Sequence, residues 1–302
     1  MNLQEKLAAF GEVKNQESLR KHTTYKIGGD ADYFLIPSSI ENLIDAVQFL
    51  KLENIPCFVL GRGSNVLIAD RPYRGVVISM VQSFTDYDFD EETGILSAQA
   101  GCSLINLSIQ AMQRSLSGLE FASGIPGSVG GGLFMNAGAY NSALSEILID
   151  VLVLRDGEAV VMKPEELHYT YRHSDFQKHR DWIILSARFQ LSPKPKEEIK
   201  ALMDSRKERR QSSQPYDKPC AGSVFRNPAG EMGAWQIIDS LGYRGQSRGH
   251  AKVSEKHSNF IVNEDGQALA SDVAALIEEI QQKAKEKYGV ELVTEVERIN
   301  WE

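Results

Sequence analysis

Gly61-Arg62-Gly63-Ser64-Asn65 directly follows the apolar run Cys57-Phe58-Val59-Leu60, which predicts a buried strand. A glycine-rich loop that leaves a strand lets backbone N–H groups approach a phosphate closely. A second and denser glycine loop lies downstream, Gly124-Ile125-Pro126-Gly127-Ser128-Val129-Gly130-Gly131-Gly132. Two loops of this kind in one chain indicate a ligand with an extended diphosphate, such as a dinucleotide.

Neither glycine loop fits a common nucleotide-binding motif. A P-loop ends in Gly-Lys-Ser/Thr, and neither loop contains a lysine. A Rossmann fingerprint needs a third glycine three residues after the second, where the first loop has Val66. The second loop has glycines at that spacing, but Pro126 removes an N–H group and no clear strand precedes it. Tight turns are the alternative explanation for either loop alone. The density of glycine in both loops, each with an adjacent serine, favours the phosphate hypothesis.

Length and charge limit the classes of function. At 302 residues the chain is long enough for two or three subdomains. A net charge of −8 argues against a general nucleic-acid-binding surface and against an anionic membrane as partner. The first residues lack the hydrophobic stretch of a signal peptide, and no run is apolar and long enough to span a bilayer. We therefore expect a cytoplasmic protein.

The cysteines and histidines predict neither a disulfide framework nor a metal site. Cys57, Cys102 and Cys220 are odd in number and widely spaced. Cys57 lies in the apolar run before the first loop, so we expect it in the core. The histidines of residues 168–179 lack a ligand-like spacing with carboxylates, and we expect no bound metal.

Local patterns predict several elements. Ser38-x-x-Glu41 is a capping box that predicts the start of a helix. Asp156-Gly157 between two apolar runs predicts a hairpin, and residues 193–196 (PKPK) predict a linker before a basic helix. Nearer the end, Ser271 is predicted to cap a helix that ends at Gly289, and residues 292–299 are predicted to form a strand.

Eight short segments carry a resemblance that none of them would carry alone. They are residues 22–29 (HTTYKIGG), 61–65 (GRGSN), 123–131 (SGIPGSVGG), 135–140 (MNAGAY), 171–174 (YRHS), 221–228 (AGSVFRNP), 253–257 (VSEKH) and 292–296 (LVTEV). In this order and at similar spacing, they resemble the UDP-N-acetylenolpyruvoylglucosamine reductases, the MurB family of peptidoglycan synthesis. The lack of a long insertion after Trp182 resembles the shorter, type II branch.

The resemblance implies an α+β architecture, in which a two-subdomain FAD-binding fold of the PCMH type precedes an α/β substrate-binding domain. We place the boundaries at residues 1–82, 83–194 and 195–302. The implied enzyme is a UDP-N-acetylmuramate dehydrogenase. In its reaction NADPH reduces FAD, and the flavin passes hydride to the enolpyruvyl ether of UDP-N-acetylglucosamine, giving UDP-N-acetylmuramate. We expect a monomer that acts on these small molecules and binds neither nucleic acid nor membrane.

Three catalytic residues follow from the resemblance, and each has a structural alternative. Arg172 would stabilise the negative charge that develops beside the substrate carboxylate, although it could simply pair with Asp175. Ser223 would act as general acid, although serine after glycine usually serves a turn. Glu295 would position substrate or share a proton, although exposed strand carboxylates are common.

The resemblance also assigns ligand contacts. Asn227 and Tyr171 would bind the UDP-sugar. Neither glycine loop has His or Cys at its turns, so we expect FAD to be held without a covalent bond. The residues that would hold it are Gly61, Arg62, Gly63, Ser64, Asn65, Gly124, Ile125, Gly127, Ser128, Gly130 and Arg209.

Two other functions stay open at this point. A flavin oxidase on the same fold would pass electrons to oxygen, and covalent flavin would be its sign. A nucleotide-binding protein without activity would keep the loops but lose the chemistry. The joint presence of Arg172, Ser223 and Glu295 argues against this second alternative.

Overall fold

The computed structural model describes residues 2–302 of the chain. Its helices are α1 Leu3–Leu7, α2 Ile40–Leu52, α3 Leu104–Gln113, α4 Val129–Phe134, α5 Lys196–Ser213, α6 Ala234–Ser240 and α7 Ala270–Tyr288. Its strands are β1 Gly11–Ser18, β2 Asp30–Pro37, β3 Cys57–Leu60, β4 Val66–Ile68, β5 Tyr73–Ser79, β6 Tyr87–Asp90, β7 Ile95–Gln99, β8 Leu116–Ser117, β9 Gly138–Ala139, β10 Ser142–Ala143, β11 Leu148–Arg155, β12 Glu158–Met162, β13 Ile183–Gln190, β14 Ser192–Pro193, β15 Ser247–Arg248, β16 Ala251–Val253, β17 Ile261–Asn263 and β18 Glu297–Ile299. This mixture of helices and sheets confirms the predicted α+β class.

The chain forms two compact units, each built from three segments. The first consists of the segment up to Gln16, Asp32–Arg62 and Arg74–Glu208. The second consists of Glu17–Ala31, Gly63–Tyr73 and Arg209–Glu302. The boundaries predicted after residues 82 and 194 stay a prediction.

The first unit is organised around a five-stranded antiparallel sheet in the order β12-β11-β13-β7-β6. The predicted hairpin joins β11 to β12. Asp156 (φ 53°) and Gly157 (φ 88°) both have positive φ, as a two-residue type I′ turn requires. Helix α3 begins after Ser103, whose side chain accepts a hydrogen bond from the Asn106 N–H.

The first glycine loop follows a strand at the edge of a four-stranded sheet, whose order is β1-β2-β5-β3. Strand β3 is the edge strand, and of its four residues only Leu60 is buried. Cys57 is exposed, so its assignment to the core was wrong.

The predicted capping box of helix α2 was misplaced by one residue. Ser39 caps α2 through the Asn42 N–H, while the Ser38 hydroxyl donates to the Phe10 carbonyl.

The second unit contains the three-stranded sheet β15-β16-β17, the parallel pair β4 and β18, and helices α6 and α7. Its core is separate from that of the first unit. The members include Tyr25, Leu67, Phe225, Ile238, Val253, Ile261, Leu276 and Ile280.

Helix α7 shows a cap that the sequence does not reveal. Ser271 lies inside the helix, so its prediction as the N-cap was wrong. The Asp70 carboxylate, two hundred residues earlier, instead accepts from the Ala270 N–H at 2.7 Å and the Ser271 N–H at 3.1 Å. At the other end, Gly289 is left-handed (φ 66°), which confirms the predicted helix end.

The predicted linker is short and partly paired. Ser192–Pro193 forms strand β14 against β8, and the Lys194 N–H donates to the Ser115 carbonyl. Helix α5 begins at Lys196. Among residues 2–302, no helix combines the length and apolar character needed to cross a membrane.

We predict that Asp70→Ala lowers the free energy of unfolding by about 0.5–2 kcal/mol, because it removes an N-cap carboxylate. Ser271→Ala is the control, and we expect it to change stability by less than about 0.5 kcal/mol. Urea denaturation measures both. Equal losses in the two variants would contradict the assignment of Asp70 as the cap.

Candidate active site

The two glycine loops meet at Gly61 and Ser128. A Cβ built on Gly61 would lie 2.6 Å from the Ser128 Oγ, so a side chain at position 61 would displace that hydroxyl. Ser128 is buried and is the N-cap of α4, where its Oγ faces the Gly131 N–H at 3.4 Å. The two segments predicted to bind one ligand are therefore neighbours.

Hydrogen bonds hold the second loop in place. The Val129 N–H donates to the Cys102 carbonyl at 2.9 Å, and the Gly130 N–H donates to the Ala100 carbonyl at 2.8 Å. A Cβ on Gly130 would lie 3.1 Å from the Ala100 Cβ. Gly130 thus permits close packing while its amide is already engaged. A 3₁₀ helix, Glu120–Gly124, leads into the loop, so its approach differs from the strand of a Rossmann motif.

The rest of the first loop belongs to the second unit. Gly63 is left-handed (φ 61°), and a Cβ there would collide with the His22 carbonyl. The Gly63 carbonyl accepts from the Thr24 N–H at 3.0 Å. The Thr24 hydroxyl donates to the Cys220 carbonyl at 2.7 Å. Thr24 therefore joins the glycine loop to the segment that leads to Ser223.

Asn65 joins the same loop to Glu295. Its side-chain amide donates to the Glu295 carbonyl at 2.9 Å, and its own carbonyl accepts from the Glu297 N–H at 2.9 Å. This contact spans 230 positions in the sequence. The sequence predicts only a cofactor contact for Asn65, because a residue that links two distant segments leaves no local sequence signal.

Ser223 and Glu295 lie on adjacent backbone segments. The Glu295 N–H donates to the Val224 carbonyl at 2.8 Å, and Phe225 forms an isolated bridge with Thr294. Both Ser223 and Glu295 are half-buried. The strand predicted over residues 292–299 is regular only from Glu297 to Ile299, because the preceding residues pair with the irregular 224–226 segment instead of a strand.

Arg172 lies in the first unit on a strained backbone. Its φ is 54°, a conformation that is uncommon for a residue with a side chain and is found often at functional sites. The guanidinium donates to the Gly138 carbonyl at 2.8 Å and lies 5.0 Å from the centre of the Tyr171 ring. Its own carbonyl accepts from the Gln177 side chain at 3.1 Å.

Asp175, the alternative partner for Arg172, has its own cations. It accepts from Lys178 Nζ at 2.9 Å and contacts His168 Nδ1 at 2.6 Å. These two bonds, that of Lys178 first, lower the pKa of the Asp175 carboxyl. This pairing weakens the argument that Arg172 serves Asp175.

Four further candidates, Tyr171, Asn227, Arg62 and Arg209, lie at exposed positions, whereas Ser64, Gly124 and Ile125 are half-buried and Gly127 is buried. Tyr171 is 56% exposed beneath the Arg172 guanidinium. The Asn227 Oδ1 accepts from the Ala234 N–H at 3.1 Å, so this residue also fixes the start of α6. Arg62 and Arg209 are exposed, and Arg209 lies on α5. Among residues 2–302, no cluster of three or more His, Cys, Asp or Glu is arranged to hold a metal ion.

Comparisons with known proteins match nearly the whole chain. The model of an FAD binding domain matches residues 31–163, and that of the UDP-N-acetylenolpyruvoylglucosamine reductase C-terminal domain matches residues 214–299. The chain is 43% identical to the UDP-N-acetylenolpyruvoylglucosamine reductases of Bacillus velezensis and Bacillus subtilis, over 96% of this chain and 94% of each relative. The crystal structure of UDP-N-acetylenolpyruvylglucosamine reductase from Thermus caldophilus matches with a TM-score of 0.79 and 35% identity, over 95% of this chain and 98% of that one. These matches confirm the predicted FAD-binding fold with a family-specific C-terminal domain.

Gly63 and Gly222 form a matched pair for testing the first loop. Both have positive φ, 61° and 74°, but nothing lies within 4 Å of a Cβ on Gly222. We predict that Gly222→Ala costs about 1–2 kcal/mol of stability, which is the strain of a left-handed residue. Gly63→Ala should cost about 1–3 kcal/mol more, because its Cβ also meets a backbone oxygen. Thermal or urea unfolding measures both variants. Equal midpoints for Gly63→Ala and Gly222→Ala would contradict the close approach of the His22 carbonyl to Gly63.

Proposed function

The chain belongs to the UDP-N-acetylenolpyruvoylglucosamine reductase family, and we propose that it uses NADPH and a non-covalent FAD to reduce UDP-N-acetylglucosamine enolpyruvate to UDP-N-acetylmuramate. The observation that carries this proposal is the pairing of the Ser223 segment with the Glu295 segment, which Asn65 of the glycine loop also holds. A proton donor, a carboxylate and a proposed cofactor loop thereby share one framework in the second unit.

The described residues fit a flavin dinucleotide. The loop can follow this path only with glycine at positions 61 and 63, because a Cβ there would meet the Ser128 Oγ or the His22 carbonyl. The two glycines also place no side chain that could keep a diphosphate away from the backbone. We propose that FAD is held by Gly61, Arg62, Gly63, Ser64, Asn65, Gly124, Ile125, Gly127, Ser128, Gly130 and Arg209. When bound, FAD supplies the hydride that NADPH provides.

Arg172 binds the substrate carboxylate in this proposal. Addition of hydride to the enol ether builds up negative charge on the carbon that bears the carboxylate. A guanidinium remains charged throughout the accessible pH range and can donate two parallel hydrogen bonds to a carboxylate. The fixed contacts of Arg172 with Gly138 and Tyr171 limit its movement, so its charge is oriented before the substrate arrives. Tyr171 and Asn227 complete the substrate contacts that we propose.

Ser223 supplies the proton in this proposal. Reduction of the double bond requires one hydride and one proton, and the proton goes to the carbon next to the carboxylate. A serine hydroxyl is a weak acid, so it serves only where the receiving carbon is strongly basic, as an enolate-like carbon is. Glu295 stands beside this segment through its bond to Val224 and positions the substrate or shares the proton. A cytoplasmic monomer that acts on these small molecules is part of the same proposal.

Anaerobic stopped-flow spectroscopy tests the activity. The purified protein is reduced with NADPH and then mixed with UDP-N-acetylglucosamine enolpyruvate. We expect the flavin absorbance to bleach and then to return rapidly on addition of the enol ether. No response to the enol ether, followed by rapid reoxidation when air-saturated buffer is mixed in, would instead favour an oxidase. A protein that neither contains nor takes up flavin would refute the proposed site.

Replacement of Ser223 separates the two half-reactions. We predict that Ser223→Ala leaves flavin reduction by NADPH within about twofold and slows reoxidation by the enol ether by at least about a hundredfold, in the range expected for loss of a general acid. Ser271→Ala, a serine on the first turn of α7, is the control and should change neither rate. A normal second half-reaction in Ser223→Ala would eliminate Ser223 as the proton donor.

A further inference from the structure

We infer that Asn259 is a positioning residue that fixes the Ser223 segment for proton transfer, an inference that rests on the proposed function. Asn259 makes three hydrogen bonds to the two residues that follow Ser223. Its Oδ1 accepts from the Phe225 N–H at 3.0 Å, and its Nδ2 donates to the Phe225 carbonyl at 2.8 Å. Its backbone carbonyl accepts from the Val224 N–H at 2.8 Å.

The side chain of Asn259 acts as a strand partner where regular sheet is missing. It satisfies both backbone groups of Phe225, a residue that is fully buried and therefore requires such partners. Only an amide of this length offers one donor and one acceptor to the same residue. An ionised aspartate would only accept, and a glutamine is one methylene longer.

Asn259 is itself held firmly. It is 5% exposed, and its N–H donates to His257 Nδ1 at 3.3 Å. Burial lowers the pKa of His257, which keeps the ring neutral and its Nδ1 able to accept. The Ser254 Oγ accepts from the N–H groups of Lys256 and His257, and the Ser254 N–H donates to the Phe260 carbonyl. The motif over residues 253–257 therefore builds a rigid turn that presents Asn259.

The contacts of the Ser223 segment are uneven along its length. Gly222, on one side of Ser223, is left-handed and has open space around it. Val224 and Phe225, on the other side, are held by Asn259 and by the 293–295 segment. The Asn259 contacts thus set where Ser223 stands. A displacement of about 1 Å at a reacting group can cost about a hundredfold in rate.

Asn263 provides a matched control, because its replacement should lower stability without a selective effect on the reaction. It is also an asparagine, is fully buried, and uses its side chain as donor and acceptor. Its Nδ2 donates to the Tyr25 carbonyl at 3.0 Å, and its Oδ1 accepts from the Ala268 N–H at 2.9 Å. Neither side-chain bond reaches residues 222–226. Asn259→Ala and Asn263→Ala should therefore lose similar stability but differ in the reaction.

The experiment compares both half-reactions in the flavin-loaded enzyme. We expect Asn259→Ala to slow reoxidation by the enol ether about tenfold to a hundredfold, with reduction by NADPH within about twofold of the wild type. In a Ser223→Ala background, the same replacement should change reoxidation by less than about twofold, because the group that it positions is gone. Hydrogen exchange provides a readout that needs no turnover. The Phe225 amide should exchange about tenfold faster in Asn259→Ala than in the wild type, and at the wild-type rate in Asn263→Ala.

Several results would overturn the inference. These are an equal slowing of both half-reactions, the same selective effect in Asn263→Ala, or a full additional loss in the Ser223→Ala background. Asn259→Asp, which keeps the acceptor for the Phe225 N–H, replaces Asn259→Ala if the latter does not fold, and its reoxidation rate should also fall selectively. Failure of the wild-type enzyme to reoxidise with the enol ether would refute the proposed function instead. In that case unchanged exchange at Phe225 in Asn259→Ala would refute the positioning contact as well.

Discussion

The bond between the Asn65 side chain and the Glu295 carbonyl is the contact on which the arrangement of the Glu295 segment within the second unit depends. Residues 223–226 and 292–296 carry two proposed catalytic groups, yet neither segment is a regular strand. Buried backbone groups outside regular structure still need partners. Here asparagine and threonine side chains supply them: Asn65 for Glu295, Asn259 for Phe225, and Thr24 for Cys220. These segments are consequently held in place without being part of a regular sheet.

In the first unit, the candidate segments are held in place by glycines that let neighbouring atoms approach the backbone closely. Gly61 and Gly130 allow close neighbours, since a Cβ would lie 2.6 Å from the Ser128 Oγ or 3.1 Å from the Ala100 Cβ. The second loop is fixed by bonds from Val129 and Gly130 to residues 100–102. Arg172 adds local strain, since a positive φ must be stabilised by surrounding contacts. The carbonyl of Gly138 and the side chain of Gln177 supply such contacts.

Sequence reasoning succeeded where the signal was local and failed where a distant partner decided. The Asp156-Gly157 hairpin and the Gly289 helix end each depend on a few adjacent residues, and both are confirmed. The cap of α7 comes from Asp70, and the exposure of Cys57 follows from the edge position of β3; neither is encoded locally. Family motifs located the candidate site residues, but the connecting roles of Thr24 and Asn65 emerged only from long-range hydrogen bonds. Asn259, two residues beyond a recognised motif and ahead of an apolar run, carried no chemical signal of its own.

The division of the chain into interleaved segments has a consequence for synthesis on the ribosome. All segments of the first unit are complete once Glu208 has been made, whereas the second unit needs residues as late as the 290s. Residues 17–31 and 63–73 can pair with each other early, but they must wait for their partners in residues 209–302. Strand β4 pairs with β18, and the Asp70 carboxylate meets α7, only near the end. Since domains generally fold as units during synthesis, the nascent chain exposes the apolar side chains of Tyr25, Ile27 and Leu67 until its last portion emerges. A ribosome that stalls once Glu208 has left its exit tunnel would leave a folded first unit that carries two segments without their partners in residues 209–302.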